Sequence, residues 1–198
     1  SWPSPWGDGR PGWHIECSAM ACKWLGHQMD IHHGGEDLIF PHHENEVAQS
    51  EAATGKPFVK YWLHWNMINF GDRKMSKSLG NVTTAREFLK EYNAEIYKFM
   101  ILSVHYRSIS DFSEQAIGRA VAGLARVYSA MAQAERVLEQ AGGVSEGKIA
   151  PALSQAMTGG REKIHLAMDD DFNTPEVFAE IFNVIRAYNA TVRPGKPT

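Results

Sequence analysis

The chain has 198 residues, of which 43% are hydrophobic and 22% charged, with a formal net charge of −3. These values suit one large or two small domains of an ordinary soluble globular protein, and the acidic balance excludes a broad electrostatic glove for nucleic acid. No secretory signal or bilayer-length apolar run is present, and two cysteines, Cys17 and Cys22, argue against a disulfide framework and for a reducing, cytoplasmic location.

Both ends of the chain are rich in proline and glycine, and they read as cuts within a longer protein. After the opening loop, Ser18 to Leu25 reads as a helix stopped by Gly26, and Met29 to His32 as a short strand closed by Gly34-Gly35. Pro41 suits the first turn of a helix running to about Gly55, because its missing N–H costs nothing there. Leu63 to Phe70 reads as extended, and Gly71-Asp72 as a turn. Strand and helix in alternation predict an α/β sheet.

Beyond Asn81 the pattern is helical. Phe88, Leu89, Tyr92, Ile96, Phe99 and Met100 recur at helical spacing. Ile117, Val121, Leu124, Tyr128, Met131 and Leu138 form one stripe of a long helix, capped by Ser113 and stopped by Gly142-Gly143. Gly142 to Lys148 reads as a loop. Asn173-Thr174-Pro175-Glu176 opens a last helix whose apolar face includes Phe178, Ile181, Phe182 and Ile185. This half carries no catalytic constellation, and its stripes read as bundle core.

Three clusters carry chemistry. Lys74-Met75-Ser76-Lys77-Ser78 places two movable ammonium groups three residues apart, suited to a polyphosphate; a generic K-x-x-K is a solvated turn, but this pentapeptide resembles the ATP loop of class I aminoacyl-tRNA synthetases. In His42-His43-Glu44-Asn45-Glu46, His42 and Glu46 share a helix face at i, i+4 and could share a metal with Cys17, a set suited to Zn²⁺. The bland alternative is a polar helix start with surface histidines. Cys22, five residues from Cys17 on one helix, reads as a small buried thiol. In His32-His33-Gly34-Gly35-Glu36-Asp37, glycines after a strand admit a ligand to the backbone and the acid could bind a ribose, although Gly-Gly-acid is also a plain turn. Trp13, near Trp6 and Trp2, could wall a pocket.

Together these pieces resemble the cysteinyl-tRNA synthetases: Gly12-Trp13-His14-Ile15-Glu16-Cys17-Ser18-Ala19-Met20, Asp30-Ile31-His32 with Gly34-Gly35 and Asp37-Leu38, Phe40 to Glu46, the lysine loop with Leu79-Gly80-Asn81, His105-Tyr106-Arg107-Ser108, and Met168 to Pro175. They follow the family's order over nearly the whole chain. The resemblance implies an α/β Rossmann-like half-domain (the C-terminal half of a class I synthetase catalytic domain) over residues 1–81, a stem-contact region over 82–109, and an α-helical bundle of DALR type over 110–198. It implies Zn²⁺ held by Cys17, His42 and Glu46, with a further cysteine from a segment preceding Ser1. Trp13 and His42 would meet the cysteine substrate. Gly35 and Asp37 would meet ATP, Asp37 at the ribose, and Lys74 and Lys77 would hold the triphosphate with Mg²⁺. The implied reaction joins L-cysteine and ATP into cysteinyl-adenylate and passes the cysteinyl group to tRNA(Cys), with no membrane partner and a monomer favoured.

The chain departs from the family pattern in lacking the first Rossmann half with its His-Ile-Gly-His-type motif, the first zinc cysteine and the anticodon-binding domain, so little activity is expected from it alone. His33 stands where many members have glycine. Rival readings are the cysteine:glucosaminyl-inositol ligase of mycothiol biosynthesis, which makes the same adenylate, a non-catalytic RNA-binding module using Arg86, Lys90, Lys98, Arg107 and Arg119, and a zinc hydrolase, for which no general base stands out.

Overall fold

The computed structural model describes residues 1–70, 73–74, 84–142 and 148–192, and the chain divides into two compact units, Ser1–Met67 and Ile68–Thr198. No helix among the described residues is long and apolar enough to cross a membrane.

In the first unit, Trp2 and Gly9 close a small antiparallel turn. Helix α1 (Trp13–Leu25) begins at Trp13 rather than at Ser18, and stops at Gly26, whose φ of +92° a side chain would resist. Strand β1 (Met29–Gly35) extends past the expected His32 through both glycines. A 3₁₀ turn, Glu36–Leu38, follows. Within Ile39–His43 only Phe40 departs from helical geometry, at φ −133° and ψ 131°, so Pro41 does enter a helical run, which continues as α2 (Glu44–Thr54). Gly55, at φ +67°, ends α2 with its N–H on the Glu51 carbonyl.

Strand β2 (Val59–Trp65) pairs in parallel with β1, from Met29 opposite Val59 to Gly35 opposite Trp65. Parallel neighbours need a crossover, and α2 supplies it. Phe58, fully buried, fixes the start of the ladder: its carbonyl accepts from Met29 N–H at 2.9 Å and its N–H donates to Glu51 Oε1 at 3.1 Å. Burying that ring contributes about 2–3 kcal/mol. Buried Ser18 on α1 donates to Gln49 Oε1 on α2 at 3.0 Å and so ties the two helices. The extended stretch expected over Leu63 to Phe70 is broken where the Asn66 side chain accepts from the Met67 N–H at 2.7 Å, a local bond that competes with the ladder.

The second unit opens with a sheet in the order β4-β3-β5, formed by β3 (Ile68–Phe70), β4 (Arg73–Lys74) and β5 (Ser110–Asp111). The predicted turn at Gly71-Asp72 lies outside the described residues. The apolar series after residue 84 forms two helices, α3 (Ala85–Glu91) and α4 (Ala94–Leu102). Periodicity alone did not show the break. Thr84 and Glu87 form a reciprocal capping box on α3, and Asn93 caps α4 by accepting from Glu95 and Ile96 N–H, so the chain restarts there.

Helix α5 (Glu114–Gln140) is capped by Ser113 as expected, and Gly142, at φ +72°, follows its end. Its buried residues, however, are Ala116 and Ala120; of the predicted stripe, Ile117 and Leu124 pack against the core, whereas Val121, Tyr128, Met131 and Leu138 are 40–52% exposed. Small residues let α4 approach: a Cβ at Gly123 would lie 2.7 Å from the Phe99 ring. Helix α6 (Pro151–Asp169) is absent from the sequence reading, because Gly159-Gly160 at its centre mask its pattern; Gly160 is buried, and a Cβ there would lie 3.0 Å from Val184. Helix α7 (Thr174–Thr191) starts as predicted, with the Asn173 side chain accepting from Glu176 N–H. Phe88, Phe99, Met100 and Phe112 with Ala116 and Ala120 form the core, flanked by Phe178 and Phe182.

Candidate functional site

The first unit gathers a dense polar cluster. The ligand atoms of Cys17, His42 and Glu46 all lie within 4.8 Å of one another. Cys17 comes from the middle of α1, His42 from the turn before α2, and Glu46 from the first turn of α2, with His42 and Glu46 buried. The i, i+4 pair read from the sequence is real: His42 Nε2 lies 3.5 Å from Glu46 Oε2.

Glu46 is completely buried, and among the described residues its Oε1 has no hydrogen-bond partner. A buried carboxylate oxygen left bare is costly unless a cation or proton meets it. Burial, and after it the Glu46 carboxylate, pushes the Cys17 thiol above its ordinary value. A cation between the two would hold both as anions, and thiolate, imidazole and carboxylate match the donor preferences of zinc. The residues fit such an ion.

Histidines surround this set. His32 Nε2 donates to Glu46 Oε2 at 3.0 Å, and His43 Nε2 lies 4.0 Å from the same oxygen. The ligand atoms of His32, His43 and Glu46 form a second group within 4.8 Å. His43 Nδ1 is 2.7 Å from His64 Nε2 on β2, and His14 Nδ1 is 2.7 Å from His42 Nδ1. Burial, followed by the neighbouring His32, His64, His42 and His33, lowers His43 to about 4, so it stays neutral at physiological pH. Sequence reasoning assigned no role to His14, His43 or His64 and no metal role to His32. The available signal was composition: seven of the nine histidines precede residue 67.

Trp13 stacks on His42, with ring centroids 4.3 Å apart and planes at 29°, and is 57% exposed, so one face of its indole stays open. Gly35 closes β1 with ordinary extended geometry; a Cβ there would meet the carboxylate of exposed Asp37, a side-chain end that can turn aside. Asp37 sits in the following 3₁₀ turn. Trp13, Cys17, His42 and Glu46 therefore converge, and Gly35 and Asp37 are neighbours at the end of β1. Lys74 belongs to the second unit, in β4, where its backbone pairs with Asn69. Lys77 and the rest of the pentapeptide lie outside the described residues.

Residues 1–122 match the family model of the tRNA synthetases class I (C) catalytic domain, and residues 163–198 match the DALR domain. Among curated proteins, the cysteine–tRNA ligase of Bdellovibrio bacteriovorus is 60% identical over 195 residues, and that of Geobacter sulfurreducens 51% identical; each alignment takes in 98% of this chain and 40% of the relative. The chain thus spans about 40% of the length of these relatives. Among solved structures, the Agrobacterium radiobacter K84 agnB2 LeuRS–tRNA–LeuAMS complex superposes with a TM-score of 0.68 at 17% identity, over 81% of this chain and 22% of that one. Mycobacterium tuberculosis methionyl-tRNA synthetase bound by methionyl-adenylate gives 0.65 at 17% identity, over 81% and 34%. At that identity the likeness speaks for the fold.

Proposed function

Because this chain belongs to the family of class I (C) tRNA synthetase catalytic domains, we propose that it forms the zinc-binding and part of the ATP-binding surface of a cysteine–tRNA ligase. The observation that carries the reading is the convergence of Cys17, His42 and the fully buried Glu46, whose Oε1 lacks a partner among the described residues. The curated relatives named above bear that activity in their names.

These three residues would hold zinc, which when bound supplies a soft Lewis acid that favours a thiolate over a hydroxyl. Cysteine would then be told from serine by a bond that serine cannot match, a difference large enough to make editing unnecessary. Trp13, stacked on His42, would wall the side-chain pocket and fix that imidazole's plane. Gly35 would let the protein backbone approach ATP closely, and Asp37 would accept from a ribose hydroxyl. Lys74 and Lys77 would neutralise the triphosphate together with Mg²⁺.

The cysteine carboxylate oxygen bonds to the α-phosphorus, the α–β bridging bond breaks, and pyrophosphate leaves with the electron pair. The adenylate's acyl group then passes to a hydroxyl of the terminal ribose of tRNA(Cys), releasing AMP. We assign acceptor-stem contact to residues 82–109.

Zinc content and cysteine-dependent ATP–pyrophosphate exchange, measured on a full-length polypeptide containing this sequence, test the reading. Cys17→Ser is expected to lower zinc affinity at least about tenfold and exchange in parallel. Unchanged zinc would refute the Cys17 assignment.

A further inference from the structure

The second unit contains a polar latch in which Asp171 has no role in the aminoacylation reading. At the corner between α6 and α7, Asp171 and Phe172 both adopt left-handed backbone geometry, with φ of +54° and +56°. Neither is glycine, and Phe172 remains 46% exposed, so ring burial does not account for the strain. Local bonds close the corner: Phe172 N–H donates to the Met168 carbonyl at 3.2 Å and Asn173 N–H to the Ala167 carbonyl at 2.9 Å.

The conformation aims the Asp171 carboxylate at one segment of chain. Tyr106 Oη donates to Asp171 Oδ1 at 2.5 Å, and Arg107 Nε donates to Oδ2 at 2.6 Å. Arg107 Nε also lies 3.1 Å from Tyr106 Oη, and His105 Nε2 is 4.0 Å from Oδ2. Both carboxylate oxygens are engaged. The Tyr106 hydrogen bond, ahead of that from Arg107, holds the Asp171 carboxyl below its ordinary value. Arg107 is 62% exposed and Asp171 36%, and ion pairs so open to water add little to stability. The corner caps the end of α6 through its own backbone bonds, and the ion pairs it sets up have a use beyond that cap.

That use lies just downstream of Arg107. Three residues past Arg107 the chain enters β5, where Ser110 pairs with Ile68 and Asp111 with Asn69. Phe112 N–H donates to the Asn69 carbonyl at 2.8 Å. Across β3, Asn69 is opposite Lys74, the first lysine of the pentapeptide. Asp171 is thus joined to the lysine strand through Tyr106–Arg107, β5 and β3, all within one unit.

We propose that Asp171 is a positioning residue for ATP use: by clamping Tyr106 and Arg107 it fixes β5, and through β3 the register of the strand that presents Lys74. The inference rests on the ATP-loop reading of Lys74 and Lys77 and extends it to a residue of the helical half. Small displacements of charged groups around a triphosphate weaken its binding and alignment.

The discriminating variant is Asp171→Gly, because glycine accepts a φ of +54° without strain while the carboxylate disappears. In a full-length polypeptide containing this sequence, it is expected to raise KM for ATP in cysteine-dependent pyrophosphate exchange by about tenfold. KM for cysteine and zinc content should stay within about twofold, and Tm should not fall. Tyr106→Phe, which removes one hydroxyl, should raise KM for ATP by about threefold. Lys74→Ala separates the two levels of the argument. If Lys74→Ala raises KM for ATP and both latch variants leave it unchanged, the inference is overturned and the ATP-loop reading stands. If Lys74→Ala has no effect, the ATP-loop reading falls and the inference with it. Should Asp171→Gly fail to fold, an unchanged KM in Tyr106→Phe overturns the proposal by itself.

Discussion

Glu46 concentrates the chemistry of the first unit in one side chain. Oε2 faces His32 and His42 at 3.0 and 3.5 Å, while Oε1 has no partner among the described residues. His43 is held neutral at physiological pH, so it brings no charge to offset the carboxylate. Glu46→Gln keeps the shape and removes the charge. It is expected to lower zinc affinity by about 10- to 100-fold, read by chelator competition, while stability in the presence of chelator does not fall, because an uncompensated buried charge has gone. Equal zinc affinity in the two proteins would remove Glu46 from the ligand set. The i, i+4 relation of His42 and Glu46 was legible because one helical turn fixes it. The contacts of His32, His43 and His64 were not, because each depends on bringing β1, α2 and β2 together.

At the scale of elements, β1 and α2 are held at a set distance by a missing side chain. A Cβ on Gly34 would lie 2.7 Å from His43 Cε1 and 2.9 Å from Nε2, although the Gly34 backbone has no need of a positive φ. Gly34→Ala is therefore expected to displace the His43 ring, break its 2.7 Å contact with His64 and destabilise the protein by about 1–3 kcal/mol, measured by chemical denaturation. A substitution with no effect on stability or on the His43 and His64 ring NMR signals would show that the ring has room to move. The pattern of helices was readable where caps carried the signal, at Ser113 and Asn173, and misread where packing decided. The stripe of large residues on α5 is mostly exposed, and the buried face runs through Ala116 and Ala120, because close helix approach favours small residues that a search for large apolar groups passes over. Gly160, packed against Val184, hid α6 for the same reason, whereas Gly159 beside it meets nothing within 4 Å.

Across the whole molecule the two units differ in what stabilises them. The buried hydrophobic residues of the first unit are Met29 and Phe58, whereas the second has Phe88, Phe99, Met100, Phe112, Ala116, Ala120 and Ala167. A small apolar core leaves the first unit dependent on its polar cluster and on any metal held there. All six tryptophans precede residue 67, so their fluorescence reports the first unit, while most helical residues lie in the second. Removing zinc with a chelator is expected to lower the thermal midpoint seen by tryptophan fluorescence by several degrees and to leave the main helical transition in circular dichroism in place. Coincident shifts in both signals would mean that the units unfold as one.

Local chemistry in the sequence determined the caps at Ser113 and Asn173, the glycine stops, the His42–Glu46 pair and the lysine pentapeptide, since each depends on residues within about one turn of chain. Tertiary structure decided that Cys17, a candidate partner in the sequence, meets that pair, that His32, His42 and His43 crowd one carboxylate while His14 reaches His42 and His64 reaches His43, and that Asp171 reaches back to Tyr106 and Arg107. These contacts join residues far apart in sequence, and what sets them is the βαβ register and the close packing of helices around small residues, which no local pattern encodes.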